Sequence, residues 1–354
     1  MSLDQTPDLH GEARRQIEIC NACRYCEGYC DVFPELHARR AWSDGDITHL
    51  ANLCHNCRGC YYACQFTAPH EFDLNLPGIL AEVRHDSWIA YAWPAGFARL
   101  FQRSGVAVAG LLLIACALLF WLASALRPDS GAGFYAIMSH GLMVALFAPA
   151  FLFPLASIAV SLRRYWRDTG GTLDLSATGA GLARAGSMRN LGGGHGDGCN
   201  FEDEDRYSSA RRWAHQATMY GFLLCFAATV SGTVLHYAFG LPAPYGLISL
   251  PKLLGVPGGV LLCLGTFELA RLKLKADRQL GAPDHWNGEM AFVLLLFTVG
   301  LSGLALYAAT GTGLVAPLLA LHLGAVLTFF LTMPYTKMVH GFYRLSALLA
   351  CNRR

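Results

Sequence analysis

Long apolar runs dominate the chain after its first hundred or so residues. The first run covers residues 105–126, carries no charged side chain and is long enough to cross a bilayer as a helix. Its successors contain few charges, and the fourth is the weakest because it includes Pro257, Glu268 and Arg271. The pattern predicts six membrane-spanning helices, at residues 105–126, 134–162, 216–240, 253–272, 290–310 and 314–336.

The segment before these runs has a different composition. The whole chain is 54% hydrophobic and 15% charged, whereas a soluble chain carries about a quarter charged residues. The first 103 residues are rich in ionisable groups, whereas most of the rest of the chain is apolar. We therefore predict a cytoplasmic domain at 1–103 and a transmembrane domain at 104–354, with a cytoplasmic loop at 163–214. The net charge of +2 gives no reason to expect nucleic acid as a partner.

The first domain contains two cysteine runs with the same spacing, in which three cysteines follow at three-residue steps and a fourth comes four residues later. The polar N-terminus has no signal peptide, so we expect it in the reducing cytoplasm, where clustered cysteines bind metal. Zinc and disulfides are the alternatives, but zinc sites use separated pairs. The runs are Cys20, Cys23, Cys26, Cys30 and Cys54, Cys57, Cys60, Cys64.

This spacing resembles that of bacterial-type ferredoxins, in which the fourth cysteine of each run binds the other cluster. That rule predicts one [4Fe–4S] cluster on Cys20, Cys23, Cys26 and Cys64, and a second on Cys54, Cys57, Cys60 and Cys30. Ferredoxins place proline directly after the fourth cysteine, whereas this chain has Asp31 and Gln65 there. The long connection at 31–53 predicts a helical insert.

Basic residues predict the orientation of the spans. They concentrate in the loops after the second and fourth spans and in the C-terminal tail, while the alternate loops are nearly uncharged. Both ends should therefore lie in the cytoplasm. The loop at 163–214 is rich in glycine, with an acidic stretch at 202–205. This composition favours a flexible surface loop over a loop docked on the head. His195 and Cys199 in this loop are not expected to bind metal.

Histidines at membrane depth are candidate haem ligands, because ionisable residues there are costly. His215 and His236 are 21 residues apart at the ends of the third span, and His322 and His340 are 18 apart in the sixth. Each spacing is close to a whole number of helical turns and gives a rise of about 27–32 Å. We therefore predict one or two haem b sites, with His215 facing His340 on the inner side and His236 facing His322 on the outer side.

Other residues near the two predicted haem sites have predicted supporting roles. Arg211, Arg212 and Arg344 lie near the inner level and are expected to pair with haem propionates. His140 is an alternative outer ligand, a quinone contact or a hydrogen-bonding residue between helices. Pro334 is a point at which the sixth helix could bend. The remaining histidines are expected to be solvated rather than ligands, namely His10, His37, His49, His55, His70 and His85.

Two longer segments carry a resemblance to a known family. The stretches from Arg211 to Thr229 and from His322 to Arg344, together with the cysteine runs, resemble the tricarballylate/citrate-utilization protein B family over nearly the whole chain. The resemblance implies a protein of a bacterial cytoplasmic membrane. Such a protein takes electrons from an FAD-dependent tricarballylate dehydrogenase and delivers them to membrane quinone. The histidine spacing of the sixth span also looks like that of the dihaem subunit of respiratory nitrate reductases.

Functions of other classes remain open at this point. A different dehydrogenase or a heterodisulfide reductase-like partner would use the same electron-transfer parts. A redox-driven ion transporter would need acidic residues within the membrane. The only acidic residues near a predicted span are Glu268 and Glu289, and each lies close to the end of its span that is expected on the cytoplasmic side. A membrane redox sensor would leave the haem histidines unused. No flavin motif is visible, so we expect the chain to oxidise no organic substrate by itself.

Overall fold

The fold is mainly α-helical. A computed structural model describes residues 8–125, 139–171, 175–193, 196, 198–200, 206–246 and 248–350. Within these ranges there is no strand, and the one isolated bridge joins Cys199 to Ser208. The expected fold class, a helical head followed by six long apolar helices, is confirmed.

Five short helices form the head. Apolar side chains from α1, α2, α3 and α5 meet in one core, in which Ile17, Leu36, Leu50 and Val83 are fully buried. The expected insert at 31–53 is helical, as α2 and α3. The helices are α1 (Leu9–Cys23), α2 (Val32–His37), α3 (Asp44–Leu53), α4 (Gly59–Tyr62) and α5 (Leu76–Tyr91).

Six helices are long and apolar enough to cross a membrane. Exposed Leu, Val and Phe side chains cover much of their outer surface, as expected of helices in lipid. A short helix, α8 (Leu175–Ser187), lies between the second and third of them. The six are α6 (Ala95–Ala125), α7 (His140–Thr169), α9 (Ala210–Phe239), α10 (Leu250–Lys275), α11 (Trp286–Ala308) and α12 (Val315–Thr332).

Glycines allow α9 and α10 to approach closely. A Cβ atom on Gly221 would lie 2.5 Å from the backbone nitrogen of Leu262, and one on Gly265 would lie 2.5 Å from that of Thr218. Small residues at such crossings let helix backbones pack directly, which is a common way to hold membrane helices together. Both helices of this pair contribute residues to the two cavities described below.

The sixth span ends before His340. Helix α12 ends at Thr332 and a 3₁₀ turn follows at Met333–Tyr335, because Pro334 lacks the N–H that a continuing helix needs. His340 lies on a separate helix, α13 (Val339–Ala350). The expectation that His322 and His340 share one helix face is therefore wrong. Helix α13 instead returns to the head, where Ala347 and Leu348 join its core.

The loop at 163–214 is docked on the head wherever the structure describes it. Asn190 Nδ2 donates to Asp31 Oδ2 over 2.7 Å, and Arg184 contacts the same carboxylate at 3.5 Å. A backbone hydrogen bond from Asn200 to the Cys57 carbonyl fixes its far end. The flexible-loop expectation is wrong for these residues. His195 and the acidic stretch at 202–205 lie outside the described residues.

Candidate cofactor sites

The eight cysteines of the two runs surround two neighbouring cavities in the head. The fourth cysteine of each run lies with the other run, as the ferredoxin rule predicts. Cys60 lies between the cavities and lines both. The first cavity is lined by Cys20, Cys23, Cys26, Cys60 and Cys64, and the second by Cys30, Cys54, Cys57 and Cys60.

Left-handed backbone positions turn the cysteine loops around these cavities. Cys20 and Cys23 lie in the last turn of α1, which ends at Arg24 with a φ of 58°. In the second run, Asn56 and Arg58 have φ values of 51° and 66°. Such values are uncommon for residues other than glycine, and they reverse the chain direction within a few residues.

The thiols fit iron–sulfur clusters. Within the described part of the chain, no three His, Cys, Asp or Glu side chains converge closely enough to hold a single metal ion. The thiols are instead spread around cavities, as the four thiolates of a [4Fe–4S] cage would be. Burial raises the pKa of the Cys20 thiol to about 12. A thiolate at this position therefore needs bound iron to stabilise its charge.

The two cavities differ in their access to the surface. Cys23 of the first run is exposed, and the nearby Tyr25 side chain is 68% exposed. The loop of the second run lies against the long helices, where Asn56 Nδ2 donates to the carbonyl of Leu280 over 2.7 Å. The first cavity thus faces outward and the second faces the bundle.

Three arginines bind the loop of the second cysteine run. Arg84 and Arg344 donate to the Cys54 carbonyl over 2.9 and 2.8 Å. Arg211 donates to the Asn56 carbonyl over 2.6 Å. Arg211 lies at the start of α9 and Arg344 lies on α13, so two helices of the second domain hold this loop directly.

One turn along the same helices, His215 and His340 face each other. Their ring centres are 5.7 Å apart. Metal–imidazole bonds of about 2 Å on both sides of one ion would place the ring centres about 6 Å apart. Nδ1 of His215 is buried and has no hydrogen-bond partner within the described residues. Burial holds the pKa of His340 well below its usual range, so its imidazole is neutral, as metal ligation requires.

The two histidines line a cavity of about 390 Å³, which we call the inner cavity. Arg211 and Arg344 also line it, as predicted for residues that would meet haem propionates. Arg212 does not line it, and instead donates to the Ser187 carbonyl over 2.9 Å. Spacing on one helix could not predict the other cationic residues of the inner cavity, because they come from different elements. These residues are Arg58, Arg84, Lys273, Arg278 and Lys337.

At the outer end, the structure brings His236 to His140. Their rings stack with centres 4.3 Å apart, and Nε2 of His140 lies 2.8 Å from the Tyr237 hydroxyl. Stacked rings at this distance leave no space for an iron between them. His322 lines a different cavity, where its Nδ1 lies 3.0 Å from the Ser302 hydroxyl. The described contacts of His236 and His322 therefore do not join the two residues.

Several histidines expected to be solvated are buried. His49 and His85 are 6% and 1% exposed, and His55 lines the inner cavity beside the cysteine loop. His85 Nε2 lies 2.9 Å from Glu289 Oε1. The expectation failed because these positions are polar in sequence and become buried only when the head packs on the bundle.

Cys199 is a ninth thiol next to the second cavity. Its side chain is 1% exposed, packs with Met188 and Leu191 against Cys57, and donates through its Sγ to the Leu191 carbonyl over 3.3 Å. No motif marks this residue in the sequence, because it lies more than a hundred residues beyond the second run.

Comparisons with known proteins agree with this architecture. Residues 95–354 match the family described as citrate utilization protein B, and residues 13–90 match its Fer4-like domain. The chain belongs to the citrate utilization protein B family. It is 41% identical to citrate utilization protein B of Escherichia coli over 350 residues, covering 96% of this chain and 90% of that protein. No solved structure matches.

Membership of this family, with a Fer4-like domain, indicates an electron-transfer role that uses iron–sulfur clusters. The family also implies that the protein works with a dehydrogenase. The six long apolar helices are compatible with a multi-pass membrane protein.

Proposed function

We propose that this chain carries electrons from the reduced flavin of a partner dehydrogenase to membrane quinone. Two [4Fe–4S] clusters and haem b, when bound, each accept and release one electron at a time. The chain would bind the clusters through the crosswise cysteine sets and a haem through His215 and His340. The predicted second haem on His236 and His322 is not part of this proposal, because His236 stacks on His140 and His322 lines a separate cavity.

The observation that carries the proposal is the link between the second cysteine loop and the inner cavity. Arg211 and Arg344 bind the Cys54–Asn56 backbone, and each lies one helical turn from a histidine of the facing pair. The residues that would hold a cluster and those that would hold a haem are therefore fixed to each other by direct contacts. A rigid link of this kind is what electron transfer within one chain needs.

The exposure of the first cysteine cavity supports a direction for electron transfer, from the head into the bundle. The first cysteine cavity opens near Cys23 and Tyr25 at the surface, where a flavin-bearing partner can approach. The family resemblance points to an FAD-dependent tricarballylate dehydrogenase as that partner. Electrons would then pass inward, since the second cavity is the one in contact with the bundle.

We place the protein in the cytoplasmic membrane of a bacterium, with both termini in the cytoplasm. The head at 1–103 would face the cytoplasm, and residues 104–354 would form the membrane domain. The inner cavity supports this orientation because its rim carries the arginine and lysine side chains that the positive-inside rule expects on the cytoplasmic side.

The test is a reduced-minus-oxidised optical spectrum of the purified, full-length protein, with iron and haem measured per chain. We expect about eight non-haem irons and at least one b-type haem. His215→Ala should remove the inner haem and leave the iron content unchanged. His10→Ala, which changes a half-buried histidine of the head, should retain both. Eight irons without haem would refute the histidine pair.

A further inference from the structure

A second cavity in the bundle surrounds His322. It has a volume of about 550 Å³ and lies between α7, α9, α10, α11 and α12. Its walls are mostly apolar, and Leu155, Leu223 and Phe226 line it while remaining 41%, 50% and 42% exposed on the outer surface of the bundle. We call it the His322 cavity. A membrane-soluble molecule can reach it from the lipid side.

The His322 ring is held in one orientation. A Cβ atom on Gly303 would lie 3.0 Å from the ring, so the ring packs against the Gly303 backbone. Nδ1 of the ring lies 3.0 Å from Ser302 Oγ, and that hydroxyl donates its own proton to the Val299 carbonyl. Nδ1 must then carry the proton and donate to Ser302, which leaves the lone pair on Nε2.

Nε2 of His322 has no hydrogen-bond partner within the described residues. An unpaired acceptor on the wall of a cavity is suited to a ligand that donates an O–H group. Among the described residues, His322 is the one histidine that lines the cavity, so a bis-histidine haem would lack its second ligand there. A flat apolar ring with a hydroxyl group and an apolar tail fits better than a second haem.

The His322 cavity lies next to the inner cavity. Phe222, Met338 and Phe342 line both cavities, so only these side chains separate the space beside His340 from the space beside His322. A redox-active ring in the His322 cavity would be the next acceptor after a haem in the inner cavity.

We propose that the His322 cavity binds the ring of the membrane quinone, with a quinol hydroxyl donating to Nε2 of His322. Ser302 acts as a positioning residue through Nδ1. The proposal rests on the proposed function, which supplies two electrons singly from the inner haem. One quinone takes these two electrons and two protons from water to form one quinol, and the tail extends past Phe226 into lipid.

The test is anaerobic calorimetric titration of the full-length, reduced protein, with its cofactors bound, using decyl-ubiquinol and a short-chain menaquinol, with haem measured per chain. His322→Ala should weaken binding of the preferred quinol about tenfold, and Ser302→Ala several-fold, because the hydrogen bond from the quinol hydroxyl is lost or misaligned. Thr298→Val is the matched control, since Thr298 lies one turn before Ser302 on α11 with an exposed hydroxyl bonded to Leu294. It should bind like the parent protein.

Gly303→Leu gives an independent test, because it keeps His322 but fills the cavity beside its ring; it should also weaken quinol binding. Both variants should keep the haem content of the parent protein. Unchanged quinol binding in His322→Ala and Gly303→Leu would overturn the proposal, as would loss of one haem in His322→Ala. An absent inner haem would instead overturn the proposed function, so the two failures are distinguishable.

Discussion

A buried group of charged and polar side chains joins the head to the bundle, with Glu289 at its centre. Glu289 lies in the first turn of α11, and its side chain is 13% exposed. It accepts hydrogen bonds from Lys273, from Lys337 at 2.5 Å and from His85 at 2.9 Å. These partners come from α10, from the segment before α13 and from head helix α5. Replacing Glu289 with alanine should therefore weaken the joint between the two parts of the molecule.

The magnitude follows from what the substitution leaves behind. Removing Glu289 leaves two ammonium groups with side-chain exposures of 13% and 29% and no carboxylate between them. Breaking a buried ion pair by removing one partner costs about 3–5 kcal/mol. We expect Glu289→Ala to lower the free energy of unfolding by about that amount, and Glu289→Gln by less because it can still accept one hydrogen bond from His85.

Thermal unfolding of the detergent-solubilised protein measures this effect. Glu268→Ala is the matched control, because Glu268 also lies near the end of a long helix, α10, and pairs with Arg271, but with side-chain exposures of 30% and 40%. Such an exposed pair contributes about 0–1 kcal/mol. Equal, small shifts in the two alanine variants would refute the conclusion that Glu289 holds the head on the bundle.

Two further predictions concern His85 and Cys199. Burial lowers the pKa of His85 from 6.5 to about 3, so below about pH 6.5 the unfolded chain takes up a proton that the folded chain does not. Stability should fall as the pH falls, by up to about 1.4 kcal/mol per pH unit from this group, and His85→Gln should reduce that slope in unfolding measured at several pH values. Cys199 is a polarisable thiol packed against Cys57, so Cys199→Ala should lower the midpoint potential of one cluster by no more than about 60 mV; an EPR redox titration checks this, and Cys263→Ala, away from the head, should leave both potentials unchanged.

Local patterns predicted the architecture well. The six spans depend only on the length and polarity of consecutive residues, and the structure places a long apolar helix at each of them. The positions of the cysteines were also predictable, because the spacing within a short loop largely fixes where its thiols can point. The crosswise placement of Cys30 and Cys64 follows from the repeated spacing, and the structure reproduces it.

Predictions that assumed a straight helix were less successful. His215 and His236 do share α9, but Pro334 separates His322 and His340 into two helices. The facing of His215 and His340 therefore depends on where α13 packs, which an 18-residue spacing does not determine. His140 could be placed near the outer end from sequence, but its stacking on His236 required the packing of α7 against α9.

Burial of charge was the least predictable property. Glu289 was visible as an acid near the end of a span, but its contact with His85 joins positions about two hundred residues apart in the chain. Arg84 likewise looks like an ordinary surface residue of a polar head, whereas the structure buries it against the Cys54 carbonyl. The contact of His85 with Glu289 arises when two separately patterned domains pack together, and the burial of Arg84 arises when the head folds around its second cysteine loop. Neither pattern contains that information.

The packing of the two domains also determines which steps of electron transfer depend on encounter. Arg84, Arg211 and Arg344 hold the second cysteine loop, and the Glu289 group holds head helix α5, so the distance between the second cysteine cavity and the inner cavity is fixed by the fold. The surface near Cys23 has no comparable covering element within the described residues. In the proposed electron path, only the meeting with a flavin partner at that surface and the entry of quinone from lipid then require diffusion. Substitutions in the joint should therefore slow transfer within the chain, whereas substitutions around Cys23 should alter its dependence on partner concentration.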